Sequence, residues 1–193
     1  MAKLVDAPAW GAGGGNPLQV RVLSSAQRRG QLAQLVRAPR LHRGGRRSES
    51  YIVHMKFSSV SKKQTFNFAK KFSKQLTGGE TLGLIGNLGT GKTIFTKGLA
   101  AGLGVKKNIT SPTFVLMKIY PVTKHKQIKL LAHLDAYRVK SANDLITIGA
   151  KEYFNRPDTV TVIEWADKIK RILPRKTKFI TIIYKDNSRI IKF

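Results

Sequence analysis

The sequence predicts an α/β fold of three layers, a mostly parallel central sheet with antiparallel hairpins, flanked by helices. Three observations predict it. A short apolar run, Thr81–Ile85, passes through a glycine-rich turn into a stretch with helical spacing. Two more apolar runs, Lys129–Leu134 and Val160–Ile163, each end on an acid, Asp135 and Glu164. In open α/β sheets ligands gather at such carboxyl ends. Finally, paired runs separated by turn residues read as hairpins.

Taken in order, Ser61 to Leu76 reads as a helix, because Thr65, Phe68, Ala69, Phe72 and Leu76 recur at three- and four-residue steps. Thr77-Gly78-Gly79 ends it, and Thr81–Ile85 is long enough for a buried strand. Beyond Thr93, the residues Ile94, Phe95, Gly98, Leu99 and Leu103 fall on one helical face, with Gly102 and Gly104 as a C-terminal stop. Thr113–Tyr120 and Ile128–Leu134 are strand-like and are joined by a polar link holding Pro121. Ser141–Ile148 suits a helix capped by Ser141. Thr159–Ile163 is β-branched and reads as a strand. Ala166–Leu173 is read as helical and stops before Pro174. Phe179–Tyr184 and Arg189–Phe193 form a last hairpin turning at Asp186-Asn187.

The 193 residues suffice for one domain with a real core. The chain has no cysteine, which excludes disulfides and thiolate metal sites, and its four scattered histidines do not suggest zinc. No apolar run approaches a membrane span and no secretory signal is visible, so the expectation is a cytoplasmic protein without a membrane partner. The formal charge of +26 favours polyanionic partners, although a lysine-rich proteome bias accounts for it equally well.

The composition breaks near Met55. Residues 1–54 hold eight Arg and one Lys, whereas residues 55–193 hold five Arg and 22 Lys, and all nine Phe. The first segment is too polar and glycine-rich to bury a core, so disorder is expected there. Three readings compete for it: a start site placed too early, a basic RNA-binding arm, and a transit peptide. The first is favoured, because Ala33 to Arg47 resembles peptides that arise when a tRNA gene is translated; Met55 would then be the start. Residues 55–193, with 27 basic and eight acidic residues, are expected to form the folded domain and keep a charge of +19.

The most informative run is Gly86-Asn87-Leu88-Gly89-Thr90-Gly91-Lys92-Thr93, which fits G-x-x-x-x-G-K-T/S. This is the phosphate-binding loop of P-loop nucleotide-binding proteins. Its glycines let backbone N–H groups of Asn87 to Gly91 turn toward phosphate oxygens. Lys92 would reach the β- and γ-phosphates of ATP, and the Thr93 hydroxyl would hold Mg²⁺. The following helix aims its positive end at the same anions. Such a site also needs an acid for the metal and a group to orient water, which Asp135 and Glu164 can supply. Ser111-Pro112-Thr113-Phe114 lies where a hydroxyl-bearing switch could sense the γ-phosphate. Arg138 is read as exposed, His133 as a packing residue, and Phe66, Phe68 and Phe72 as core.

Together G-N-L-G-T-G-K-T, S-P-T-F, H-L-D-A-Y-R, I-E-W and a late L-P resemble the TsaE (YjeE) family of bacterial P-loop ATPases. The resemblance spans Ser61 to Phe193. It implies an ATPase that acts with TsaB and TsaD in N6-threonylcarbamoyladenosine modification of tRNA, without itself transferring the threonylcarbamoyl group. Carried onto these positions, Lys92 binds phosphate, Thr93 and Glu164 hold Mg²⁺, and Asp135 helps activate or position the water. Thr113 serves as the switch, Trp165 packs near the nucleotide, and Thr65 lies against the adenine or ribose. Asn87 stands where the family frequently has Asp, which removes a charge near the phosphates. On this resemblance tRNA is met indirectly or through the basic surface.

Two rival functions share these features. A small-molecule or nucleoside kinase shares the loop but needs a lid with several arginines. The five after Met55 do not cluster in sequence. A basic RNA-binding protein with a secondary nucleotide site would show salt-steep RNA affinity without ATP.

Overall fold

The structure is a computed structural model that describes residues 55–193; the expectations for residues 1–54 lie outside the described residues. Seven strands form one mixed sheet: β1 (Lys56–Ser59), β2 (Thr81–Ile85), β3 (Met117–Pro121), β4 (Leu130–Asp135), β5 (Thr159–Glu164), β6 (Lys178–Lys185) and β7 (Ser188–Lys192). Their order across the sheet is β1-β7-β6-β2-β5-β4-β3. The central four, β6, β2, β5 and β4, run parallel, and antiparallel pairs close both flanks. The central strands read as continuous apolar runs because both of their faces are covered.

One face is covered by helices α1 (Lys62–Phe72) and α2 (Lys92–Leu103). They bury Leu82, Leu84, Val160, Val162, Ile180 and Ile182. A cluster of Phe57, Phe68, Phe72, Phe95 and Phe193 fills the space between α1 and the outer strands, with Phe57 and Phe68 stacked at 4.2 Å. Each such apolar side chain contributes about 1.5–3 kcal/mol by leaving water. The other face carries α3 (Ala142–Thr147) and the 3-10 turns Ala150–Tyr153 and Ala166–Ile172, over Ala132, Leu134 and Ile163.

Ser61 caps α1 by accepting from the Gln64 N–H at 3.1 Å, and Gln64 Oε1 accepts in return from the Val60 N–H at 2.8 Å. Gly104 ends α2 in the left-handed region at φ 84, as expected. Gly102 does something else. A Cβ there would lie 2.0 Å from Ser73 Oγ, and one at Gly98 would lie 2.2 Å from the Phe66 carbonyl. Spaced four apart on one face, these two glycines let α1 press directly on α2.

Several expected bounds shift. Thr113–Leu116 is not strand: the Val115 N–H bonds the Pro112 carbonyl and Leu116 adopts φ 60, so the segment turns before β3 begins. Pro121 closes β3 rather than linking it, which an edge strand tolerates. Ala166–Ile172 is a kinked 3-10 segment, broken at Ile169 with φ −125. No sequence pattern announces β1 or the turn at Ala150–Tyr153. The last hairpin turns at Asp186 and Asn187, both with positive φ, the signature of a type I′ turn. Among the described residues no helix is long and apolar enough to cross a membrane.

Candidate functional site

The site lies at the carboxyl ends of β2, β4 and β5. Gly86, Gly89 and Gly91 all adopt positive φ, and Gly91 starts α2 from the left-handed region. The loop therefore wraps around the first turn of α2, where backbone N–H groups have no helical partner. Lys92 is nearly buried. Its Nζ donates to the carbonyls of Gly86 at 2.7 Å and Asn87 at 2.9 Å, and sits 3.7 Å from the centroid of the Trp165 ring. Burial pushes the Lys92 ammonium below the usual lysine range, while the carboxylates of Glu164 and then Asp135 pull it back up.

Two buried acids face this lysine. At the end of β5, Glu164 Oε2 accepts from the Thr93 hydroxyl at 2.8 Å. Its other oxygen, Oε1, lies 2.9 Å from His133 Nε2. At the end of β4, Asp135 Oδ2 accepts from Ser111 Oγ at 2.5 Å and Thr113 Oγ1 at 2.7 Å, and Oδ1 from the Tyr137 N–H at 2.9 Å. The parallel register sets Asp135 beside Glu164, so the sheet itself holds the two carboxylates as neighbours. Immediately after Glu164, Trp165 adopts φ 59, a conformation that β-carbon sterics disfavour and that marks functional sites. That turn brings the indole over Lys92, with the Tyr137 ring 5.0 Å away.

A cavity of about 440 Å³ opens among these groups. Leu88, Gly89, Gly91, Lys92, Thr93, Thr113, Asp135, Glu164 and Trp165 all line it, so most of the expected site residues meet. Thr65 does not. It is fully buried, and its hydroxyl lies 2.9 Å from Ser59 Oγ. Lys62, at the start of the same helix, lines the cavity instead. Asn87 and Thr90 line a neighbouring hollow with Ile182 and Tyr184. They shape the loop internally: the Thr90 hydroxyl donates to the Asn87 carbonyl at 2.9 Å.

The donor set suits a hard cation bound jointly with a polyphosphate. Among the described residues no three His, Cys, Asp or Glu side chains gather as a metal cage. Mg²⁺ is typically held by one or two protein oxygens, its remaining positions going to water and phosphate. Thr93 and Glu164 offer that pair, and Lys92 with the α2 N-terminus offers the anion cradle.

A family model described as threonylcarbamoyl adenosine biosynthesis protein TsaE matches residues 59–191, which include every residue named in this site. The chain belongs to the TsaE family. It is 38% identical over 138 residues to a tRNA threonylcarbamoyladenosine biosynthesis protein TsaE of Treponema pallidum, covering 71% of this chain and 98% of that protein. Its identity to the Bacillus subtilis protein of the same description is 36% over 128 residues, 66% of this chain and 77% of that one. The fold matches a crystal structure of Bacillus subtilis YdiB with a TM-score of 0.58 at 33% identity, over 72% of this chain and 84% of that one.

Within this TsaE domain three residues matter that sequence pattern alone does not bring to the site. His133 reads as packing from its apolar neighbours, yet it holds Glu164; two residues before Asp135 on β4 it shares the face of Asp135, which the register sets beside Glu164 on β5. Lys62 sits at the mouth of the cavity. Arg189, on β7, braces the loop from outside by donating to the Thr90 carbonyl at 3.1 Å, a contact across 99 residues that no local pattern announces.

Proposed function

We propose that this TsaE-family chain is a Mg²⁺-dependent ATPase that binds a TsaB–TsaD pair and supports turnover in N6-threonylcarbamoyladenosine modification of tRNA. It does not itself transfer the threonylcarbamoyl group. One observation carries this reading: Thr93 Oγ1 stands 2.8 Å from Glu164 Oε2 at the foot of the glycine loop. The hydrogen bond keeps a hydroxyl and a carboxylate oxygen together at the phosphate cradle, where Thr93 and Glu164 would hold a Mg²⁺ shared with the phosphates. The relatives' descriptions, which name tRNA threonylcarbamoyladenosine biosynthesis, support the pathway.

In this role the loop N–H groups and Lys92 hold the phosphates and spread their charge. Bound Mg²⁺ supplies electrostatic stabilisation of the transferring phosphoryl group. Asp135 has three hydrogen bonds, one of them to Oδ1, which leaves that oxygen a lone pair for an attacking water. Water attacks the γ-phosphorus, the bond to the ADP oxygen breaks, and the proton leaves with phosphate. Ser111 and Thr113 tie the segment before β3 to Asp135, so a change in that segment moves the water-orienting group. Leu88, which lines the cavity, and Phe114, next to Thr113, are each 79% exposed and give apolar surface suited to a protein partner.

The test is reconstitution of the full chain with TsaB, TsaD, tRNA and threonylcarbamoyl-adenylate, with and without ATP. Modified tRNA should exceed the amount of enzyme only when this chain and ATP are both present, and Lys92→Ala should abolish that excess. Multiple turnover independent of the chain would overturn the reading.

A further inference from the structure

A second cavity, of about 590 Å³, lies at the other end of the sheet, where β2 and β6 begin. The length of β2 separates it from the glycine loop, roughly 17 Å of strand. Arg175, Lys176, Lys178, Asn155 and Glu80 line it. A neighbouring hollow is lined by Lys170 and Arg171, with Lys140 and Asp167. The stretch 170–178, Lys-Arg-Ile-Leu-Pro-Arg-Lys-Thr-Lys, holds five cations and no acid, and all five are exposed.

None of the five is neutralised. Among the described residues the ion pairs are His133–Glu164 and Arg156–Asp158. The Glu80 carboxylate is turned back onto its own turn, accepting from the N–H groups of Thr77 and Gly78 at 2.9 Å each and the Thr77 hydroxyl at 3.1 Å. The fold holds these charges outward. Ile169 is buried, the 3-10 backbone turns Lys170 and Arg171 to the surface, and Pro174 stops the segment before β6. Five like charges in nine residues set up a positive field that attracts polyanions.

Beside them the sheet offers an aromatic surface. Phe179 is 39% exposed, and Lys170 Nζ sits 5.5 Å from its ring centroid. The cation stands over a ring that is partly exposed, and a cation and an aromatic ring are the two elements that hold single-stranded nucleic acid, phosphate on one and base on the other. An acidic peptide would use the charges but leave the ring without a stacking partner.

We propose that this surface binds RNA, with Lys170, Arg171, Arg175, Lys176 and Lys178 on consecutive phosphates and Phe179 under an unpaired base. The site is separate from the nucleotide cavity and does not rest on the ATPase reading.

The test is fluorescence anisotropy of the full chain with a labelled tRNA stem-loop at several salt concentrations. A variant carrying Lys170→Gln, Arg171→Gln, Arg175→Gln, Lys176→Gln and Lys178→Gln is compared with one carrying Lys70→Gln, Lys71→Gln, Lys106→Gln, Lys107→Gln and Lys126→Gln. The first should bind at least tenfold more weakly, with a salt slope smaller by about 0.7–0.9 for each phosphate no longer neutralised. The second should stay within a few-fold of the unaltered chain, and Phe179→Ala should weaken binding with the salt slope unchanged. Equal losses in the two charge variants would overturn the site, as would an oligoglutamate peptide or an anionic vesicle bound as tightly as RNA. Circular dichroism and nucleotide binding report whether each variant is folded.

Discussion

At the scale of single residues, the site turns on how one buried carboxylate is held. A carboxylate only accepts hydrogen bonds, so His133 Nε2 carries the proton in its contact with Glu164 Oε1. That contact leaves Oε2 facing Thr93. His133 is therefore a positioning residue for the pair proposed to hold Mg²⁺, and its own Nδ1 has no partner among the described residues. Removing the donor in His133→Phe should raise the Mg²⁺ concentration for half-maximal hydrolysis about tenfold, the usual loss for an outer partner of a ligand. His133→Gln, which keeps a donor, should recover most of it. A Mg²⁺ titration checks this, and an unchanged midpoint in His133→Phe would contradict it. The loop, Lys92, Thr93, Asp135 and Glu164 are legible in the sequence, since their spacing reflects short-range geometry at strand ends. Thr65 lies away from the expected place because periodicity locates a helix but not which of its faces meets a cavity.

At the scale of elements, the α1–α2 contact sets where the loop-bearing helix lies. Gly98→Ala places a methyl 2.2 Å from the Phe66 carbonyl, which α1 can relieve only by moving away. It should lower stability by about 1–3 kcal/mol despite alanine's better helix propensity. The nearby exposed change Lys97→Ala should have little effect in the same thermal melts. The turn after α1 carries a pH-dependent tie. Burial raises the Glu80 carboxyl, but hydrogen bonds from Thr77 and Gly78 outweigh it and hold the group below the usual glutamate range. Its contribution is therefore present above the ordinary glutamate value and is lost as pH falls through the lowered one. Glu80→Gln should shrink the Tm difference between pH 7 and pH 3.5; an identical difference would count against the tie. Elements with strong patterns are readable, including the parallel centre and the Asp186-Asn187 turn. β1 is not, since four residues are too few to show alternation. Thr113–Leu116 looks β-branched and apolar, but Pro112 and the hold of Asp135 on Thr113 bend it away from the sheet.

At the scale of the whole sheet, the described domain has two chemically distinct ends. The carboxyl ends of the central strands carry the glycine loop and both buried acids, and the other end carries unpaired cations. Binding at the two should be separable. Replacing the five cations of 170–178 should leave nucleotide affinity within about twofold, and Glu164→Ala should leave RNA affinity equally unchanged, because charges this far apart are largely screened at physiological salt. Parallel titrations of nucleotide and RNA check both. The charge excess is visible in composition, but its concentration on one surface depends on which lysines the fold leaves without acids.

In the proposed function Lys92, Thr93 and Glu164 form a Mg²⁺-dependent hydrolytic site. The most direct measurement is steady-state ATP hydrolysis by the full chain with TsaB and TsaD, with and without Mg²⁺, for the unaltered protein and for Glu164→Ala and Lys92→Ala. Hydrolysis should require Mg²⁺ and fall by about a hundredfold or more in each variant while the fold persists. Near-normal hydrolysis in both folded variants would contradict it.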